Sequence, residues 1–117
     1  MDRAQREKFI RNGRNAINNI MSAPVYILIF VDTTAYPEYA LYDSCLAVEN
    51  LMIMARAAGY GTGFFTTYFP ENVIKKFVNA PQNLKFICAT PIGIPERWPE
   101  TPSKKGLREF IIWGRFR

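Results

Sequence analysis

The sequence predicts an α+β chain in which helices pack on a few central strands and an extended arm closes the C-terminus. Three observations predict it. Residues 39–58 carry apolar side chains at helical spacing. Residues 25–31 form an unbroken run of β-branched, aromatic and aliphatic residues. Residues 95–106 are broken by Pro95, Pro99, Pro102 and Gly106. A 117-residue chain fits one domain, and a domain of this size buries roughly 65% of its unfolded surface.

Residues 2–21 read as the first helix, because Phe9, Ile10, Ala16, Ile17, Ile20 and Met21 recur near helical spacing among charged residues. Ser22, Ala23 and Pro24 end it. The run Val25-Tyr26-Ile27-Leu28-Ile29-Phe30-Val31 is too short for a buried helix and has the composition of a strand covered on both faces. Residues 39–58 form the strongest helix. Leu41, Cys45, Val48, Met52 and Ala55 follow 4-3-4-3 spacing, and Leu46, Leu51, Ile53 and Met54 add apolar surface elsewhere. A helix apolar nearly all round is buried on several sides, often against another subunit. Gly59 suits its C-terminal cap.

The glycines at 59, 61 and 63 are not a dinucleotide-binding loop. Such a loop follows a strand and opens a helix, whereas this cluster follows a helix and enters the extended Phe64-Phe65-Thr66-Thr67. It reads either as a helix stop and turn or as a place where main-chain N–H groups approach a flat ligand. Pro70-Glu71 opens a short helix through Val78. A second strand is expected over 84–94, with Pro91 limiting its ladder or placing it at an edge. The tail, with Phe110, Ile111, Ile112 and Trp113, is apolar enough to need a docking surface. Two strands make a poor sheet alone, which is the first sign of an incomplete fold.

Composition excludes several classes. Apolar residues at 49% and charged residues at 21% argue against disorder. No histidine is present, which removes the usual zinc ligand and a Ser-His-Asp triad. Cys45 and Cys88 each sit in apolar runs and read as buried thiols of a reducing, cytoplasmic compartment. The charged, polar first residues do not read as a secretory leader, and the apolar runs are too short to span a bilayer. The net charge of +5 is concentrated at the ends: Arg3, Arg6, Lys8, Arg11 and Arg14, then Lys104, Lys105, Arg108, Arg115 and Arg117. These are solvated segments or an anion patch. The middle lacks a repeating basic-aromatic pattern, so nucleic acid is not an expected partner.

From Ala23 onward the chain resembles the nitroreductase family of FMN-dependent oxidoreductases. Ala23-Pro24-Val25-Tyr26-Ile27-Leu28-Ile29 resembles its strand entered through an Ala-Pro turn. Val48-Glu49-Asn50-Leu51-Met52 and Ala55-Arg56-Ala57-Ala58-Gly59-Tyr60-Gly61-Thr62-Gly63 resemble its long helix and glycine-rich end. Pro91-Ile92-Gly93-Ile94-Pro95 resembles an "iGyP" strand end. Lys104-Lys105-Gly106-Leu107-Arg108-Glu109-Phe110-Ile111 is similar to a closing "KRxPLEE" segment.

The resemblance implies a nitroreductase-like fold with FMN at a homodimer interface, NAD(P)H as hydride donor, and nitroaromatics, quinones or similar molecules as small-molecule acceptors. By matching position, Phe64, Phe65, Thr66 and Thr67 would lie along the flavin ring, with main-chain N–H groups stabilising charge there. Lys104 and Lys105 would reach the FMN phosphate. No side chain is expected to act as a catalytic acid or base, because the chemistry is the flavin's. Tyr36, Tyr39, Tyr68 and Phe69 are candidates for an acceptor pocket, against ordinary packing. The family's Arg-Ser-x-Arg type motif and its Pro-Ser, Asn and Gln-Pro-Trp stretch are not found. A single nitroreductase-like domain without the family's N-terminal part is therefore expected: a leading helix (1–22), a core (23–94) and an extended arm (95–117).

Two readings stay open. One is a flavin oxidoreductase. The other is a non-catalytic half-domain that self-associates through residues 41–58, with Val48 and Met52 at the contact, and through the apolar tail. A third reading, nucleic-acid binding, rests on charge alone.

Overall fold

The folding of this chain follows its local signals closely. A computed structural model describes residues 1–66 and 69–116, so the expectations that involve Thr67, Tyr68 and Arg117 lie outside the described residues. Helix α1 (Arg3–Met21) starts at Asp2. The Asp2 carboxylate accepts the Gln5 N–H at 2.7 Å, and the Gln5 side chain accepts the Asp2 N–H at 3.0 Å, a reciprocal capping box. Strand β1 (Val25–Asp32) follows. Helix α2 (Pro37–Ala57) begins two residues earlier than the apolar spacing suggests, because Pro37 is preset for the first turn and Glu38 complements the helix dipole. Helix α3 (Glu71–Phe77) and strand β2 (Leu84–Ile92) complete the core, and a single 3₁₀ turn (Leu107–Glu109) interrupts the tail.

β1 and β2 pair antiparallel from Val25 opposite Ile92 to Asp32 opposite Leu84, with a bulge between Ile29 and Phe30. α2 covers one face of this pair. Val48, Ile87 and Cys88 form the buried centre, and Ile29, Val31 and Met52 pack on it. α3 is fastened to β2 by Glu71, whose carboxylate accepts the Phe86 N–H at 3.0 Å. Among the described residues, no helix is long and apolar enough to cross a membrane.

Four expectations change. β1 is only half-buried rather than covered on both faces, because β2 is its sole strand neighbour among the described residues. The core face of α2 is Ala40, Ser44 and Val48, one step round from the expected Leu41 and Cys45. Ser44 can face the sheet because its hydroxyl donates to its own helix, within 2.9 Å of both the Ala40 and Leu41 carbonyls. Cys45 is consequently exposed, while Cys88 is buried and its thiol is pushed up by burial and then by Cys45. Finally, Val48 is 1% exposed within its own chain, so it is not available to a contact between copies. Tyr39, Leu41, Tyr42, Leu46, Ile53 and Met54 are the exposed large apolar residues of α2.

The molecule is open. Its Cα radius of gyration is 18.1 Å, against roughly 13 Å for a compact chain of this length. Its accessible surface of 10263 Å² is about 1.6-fold that of a compact monomer of equal mass. Phe9, Ile17 and Met21 on α1 and Leu107, Phe110, Trp113 and Phe116 in the tail are all exposed. A hydroxyl on β1 ties the end of α1 to the sheet, where Tyr26 donates to the Ile20 carbonyl.

Candidate functional site

The end of α2 sets the site. Gly59 has φ 88°, a left-handed conformation that favours glycine. The Gly59 N–H donates to the Arg56 carbonyl at 3.0 Å and the Tyr60 N–H to the Ala55 carbonyl at 2.8 Å. This paired closure is a Schellman motif. It turns the chain off the helix and lays residues 61–65 along the free edge of β2.

There the chain behaves as an interrupted third strand. Gly61 and Gly93 exchange both main-chain hydrogen bonds, at 2.7 and 3.2 Å, and so do Phe65 and Ala89, at 3.1 and 2.9 Å. The same antiparallel register puts Gly63 opposite Pro91, which has no N–H to give. The ladder is therefore broken at its centre. Pro91 leaves the β1 pairing intact, because its nitrogen faces residues 61–65 and not Tyr26, its cross-strand neighbour. In this register the main-chain groups of Thr62 and Phe64 point away from β2. Among the described residues, the amides of Thr62, Gly63 and Phe64 have no acceptor.

Phe65 folds its ring back over Gly63. A Cβ at position 63 would lie 2.3 Å from that ring, so glycine is required for the ring to occupy this place. The ring faces a cleft of about 490 Å³ between the end of α1, the 60–65 segment, the end of β2 and the start of the arm. Pro24, Pro91, Ile94 and Pro95 give it apolar walls, and Tyr60 and Thr62 add polar groups. The volume is that of a small-molecule pocket. At its rim the Arg56 guanidinium lies over the Trp98 ring, 3.4 Å from the ring centre. This cation–π contact holds the start of the arm against the end of α2.

The expected site residues fall in three places. Phe65 lines the cleft, with its own N–H engaged by Ala89. Phe64, 43% exposed, and Thr66 flank it on the same segment, and Thr67 lies outside the described residues. Lys104 and Lys105 are exposed on the arm and do not line this cleft. Tyr36 and Tyr39 are exposed near the start of α2, also away from it, and Phe69 is half-buried. Sequence reasoning missed Arg56, Trp98 and the Gly63–Pro91 break. The break had a signal: residues 61 and 65 flank a glycine at the same distances at which Gly93 and Ala89 flank a proline. Among the described residues, no cluster of His, Cys, Asp or Glu could hold a metal ion.

The sequence model of the nitroreductase family matches residues 2–94 of this chain. The match takes in α1 and stops before the arm that carries Lys104 and Lys105. Solved structures share the fold. A nitroreductase family protein from Clostridium novyi NT is 30% identical, with a TM-score of 0.60 over 65% of this chain and 46% of its own. Iodotyrosine deiodinase, solved bound to FMN and 3-iodo-L-tyrosine, is 25% identical, with a TM-score of 0.68 over 80% of this chain and 48% of its own. An FMN-dependent nitroreductase from Clostridium difficile R20291 is 16% identical, with a TM-score of 0.70 over 80% of this chain and 59% of its own, a likeness of fold alone. The chain thus spans about half the length of these relatives.

Proposed function

Because this chain belongs to the nitroreductase family, we propose that it forms the C-terminal part of an FMN-dependent oxidoreductase site. One observation carries this reading: the two pairings of Gly61 with Gly93 and Phe65 with Ala89 set a register in which Thr62 and Phe64 present main-chain N–H donors away from the sheet, beside an aromatic ring. Bound FMN would supply hydride-transfer chemistry between NAD(P)H and a nitroaromatic, quinone or related acceptor.

The chain's own residues would bind and polarise. The Thr62 and Phe64 amides would donate to the ring edge and favour negative charge on it, as fixed dipoles that need no reorganisation. Phe65 would give an apolar wall, positioned by its two hydrogen bonds to Ala89. Phe64, Thr66 and Thr67 would continue the contact along the ring. Lys104 and Lys105 would meet the phosphate as point charges. The exposed apolar face of α2, with Leu46 and Ile53, would join two copies into a homodimer, and the free thiols suit a cytoplasmic setting.

A second reading is a self-associating half-domain that does not hold flavin alone. It is favoured by the two lysines standing apart from the cleft. An FMN titration followed by visible absorbance separates the two. Saturable, near-stoichiometric change in the flavin bands, weakened by Lys104→Ala with Lys105→Ala, fits the oxidoreductase. Unchanged bands at saturating FMN fit the half-domain.

A further inference from the structure

Among the described residues, Arg56 is a cation with no anion beside it. Among the described residues the only ion pair is Arg3 with Glu7, on the far end of α1. No hydrogen bond from the Arg56 guanidinium to another described residue is present. The Trp98 ring, its centre 3.4 Å from the guanidinium carbon, covers one face of the guanidinium and leaves its in-plane N–H edges without a partner among the described residues. A planar fork held flat by an aromatic ring is pre-organised to take a carboxylate through two parallel hydrogen bonds. The same cleft has apolar walls from Pro24, Pro91, Ile94, Pro95 and Phe65. The walls suit a flat apolar body and the rim suits a negative group.

We propose that this cleft selects planar, carboxylate-bearing molecules, with Arg56 as the residue that recognises the charge and Trp98 as the residue that positions Arg56. The inference deepens the oxidoreductase reading, because Phe65 belongs both to the cleft and to the segment assigned to the flavin. A molecule anchored by Arg56 lies next to that segment, so among the aromatic acceptors the anionic ones are favoured over neutral ones of the same shape. Arg56 and Trp98 are far apart in sequence, and neither belongs to the residues assigned to the flavin.

The test compares 4-nitrobenzoate with 4-nitrobenzamide, nearly equal in shape and different in charge, by calorimetric titration of the full chain. The carboxylate is expected to bind at least about tenfold tighter than the amide. Arg56→Gln should abolish that preference, and Arg56→Lys should retain part of it, since the charge stays and the fork is lost. Trp98→Phe should weaken the preference without reversing it. Equal binding of the two probes to the unaltered chain overturns the proposal. So does a preference that survives Arg56→Gln. FMN titration of Arg56→Gln keeps the two readings apart. Unaltered FMN affinity with a lost preference supports an acceptor-recognition role. Loss of FMN together with the preference assigns Arg56 to the flavin and overturns it. A preference present in a chain that never binds FMN leaves the carboxylate site standing and removes the flavin reading.

Discussion

Phe65 and Ala89 exchange both of their main-chain hydrogen bonds, at 3.1 and 2.9 Å. Four residues back, Gly61 does the same with Gly93. These two pairs fix residues 61–65 against β2 while the proline between them keeps the ladder from closing. The result is a short segment that is held at both ends and open in its middle. A segment built this way can offer peptide donors to a ligand without having to unpair from the sheet first.

The Phe65 ring over Gly63 gives a prediction about packing. Gly63→Ala brings a methyl group within 2.3 Å of the ring, and either the ring or the backbone must move. The cost is expected at about 1–2 kcal/mol. In a Phe65→Ala background the same substitution should cost less than half as much, because the obstructing ring is gone. Denaturant unfolding of the four proteins measures the coupling. Equal costs in both backgrounds would show that the ring does not lie over Gly63.

The two faces of α2 predict two different phenotypes. Val48 is 1% exposed and Leu46 is 66% exposed. Val48→Ala should lower stability by about 2 kcal/mol through the cavity it leaves. Leu46→Asp should leave the fold intact, as seen by circular dichroism, and lower self-association in sedimentation velocity. A Leu46→Asp chain that self-associates as before would move the contact to another face.

Asp32 predicts a pH dependence. Its carboxylate accepts the Thr34 hydroxyl at 2.6 Å and the Thr34 N–H at 2.8 Å. The Thr34 hydroxyl, then the Thr34 amide, then Asn83 hold it below the usual carboxylate range. A group whose pKa is depressed on folding contributes stability above its unfolded pKa of about 3.9 and loses it as pH falls through the folded value. Thermal unfolding between pH 6 and pH 2 should therefore fall more steeply in the unaltered chain than in Asp32→Asn. Parallel curves would show that the turn makes no pH-linked contribution.

Much of this architecture was legible in the sequence, because its signals are local. The periodic apolar residues, Pro37, Gly59 and the β-branched run place α1, β1, α2, α3 and β2 within a few residues. The facing of α2 was not legible. A helix apolar nearly all round gives no stripe to read, and the polar Ser44 reaches the core only because its hydroxyl is satisfied by its own helix. The third-strand pairing was also hidden, since glycine, threonine and a lone proline carry little strand signal. It depends on a register between segments some thirty residues apart. Arg56 and Trp98 are joined only by the path of the arm, which spacing along the chain does not reveal.

The central claim is that the outward main-chain N–H groups of Thr62 and Phe64 serve a flavin ring. Amide chemical shifts of an isotope-labelled chain, followed during an FMN titration, test it most directly. The Thr62 and Phe64 amide protons should shift the most and saturate with FMN, while the Phe65 amide, tied to Ala89, should move little. Saturating FMN that leaves Thr62 and Phe64 unmoved, or that shifts only residues distant from this segment, would contradict it.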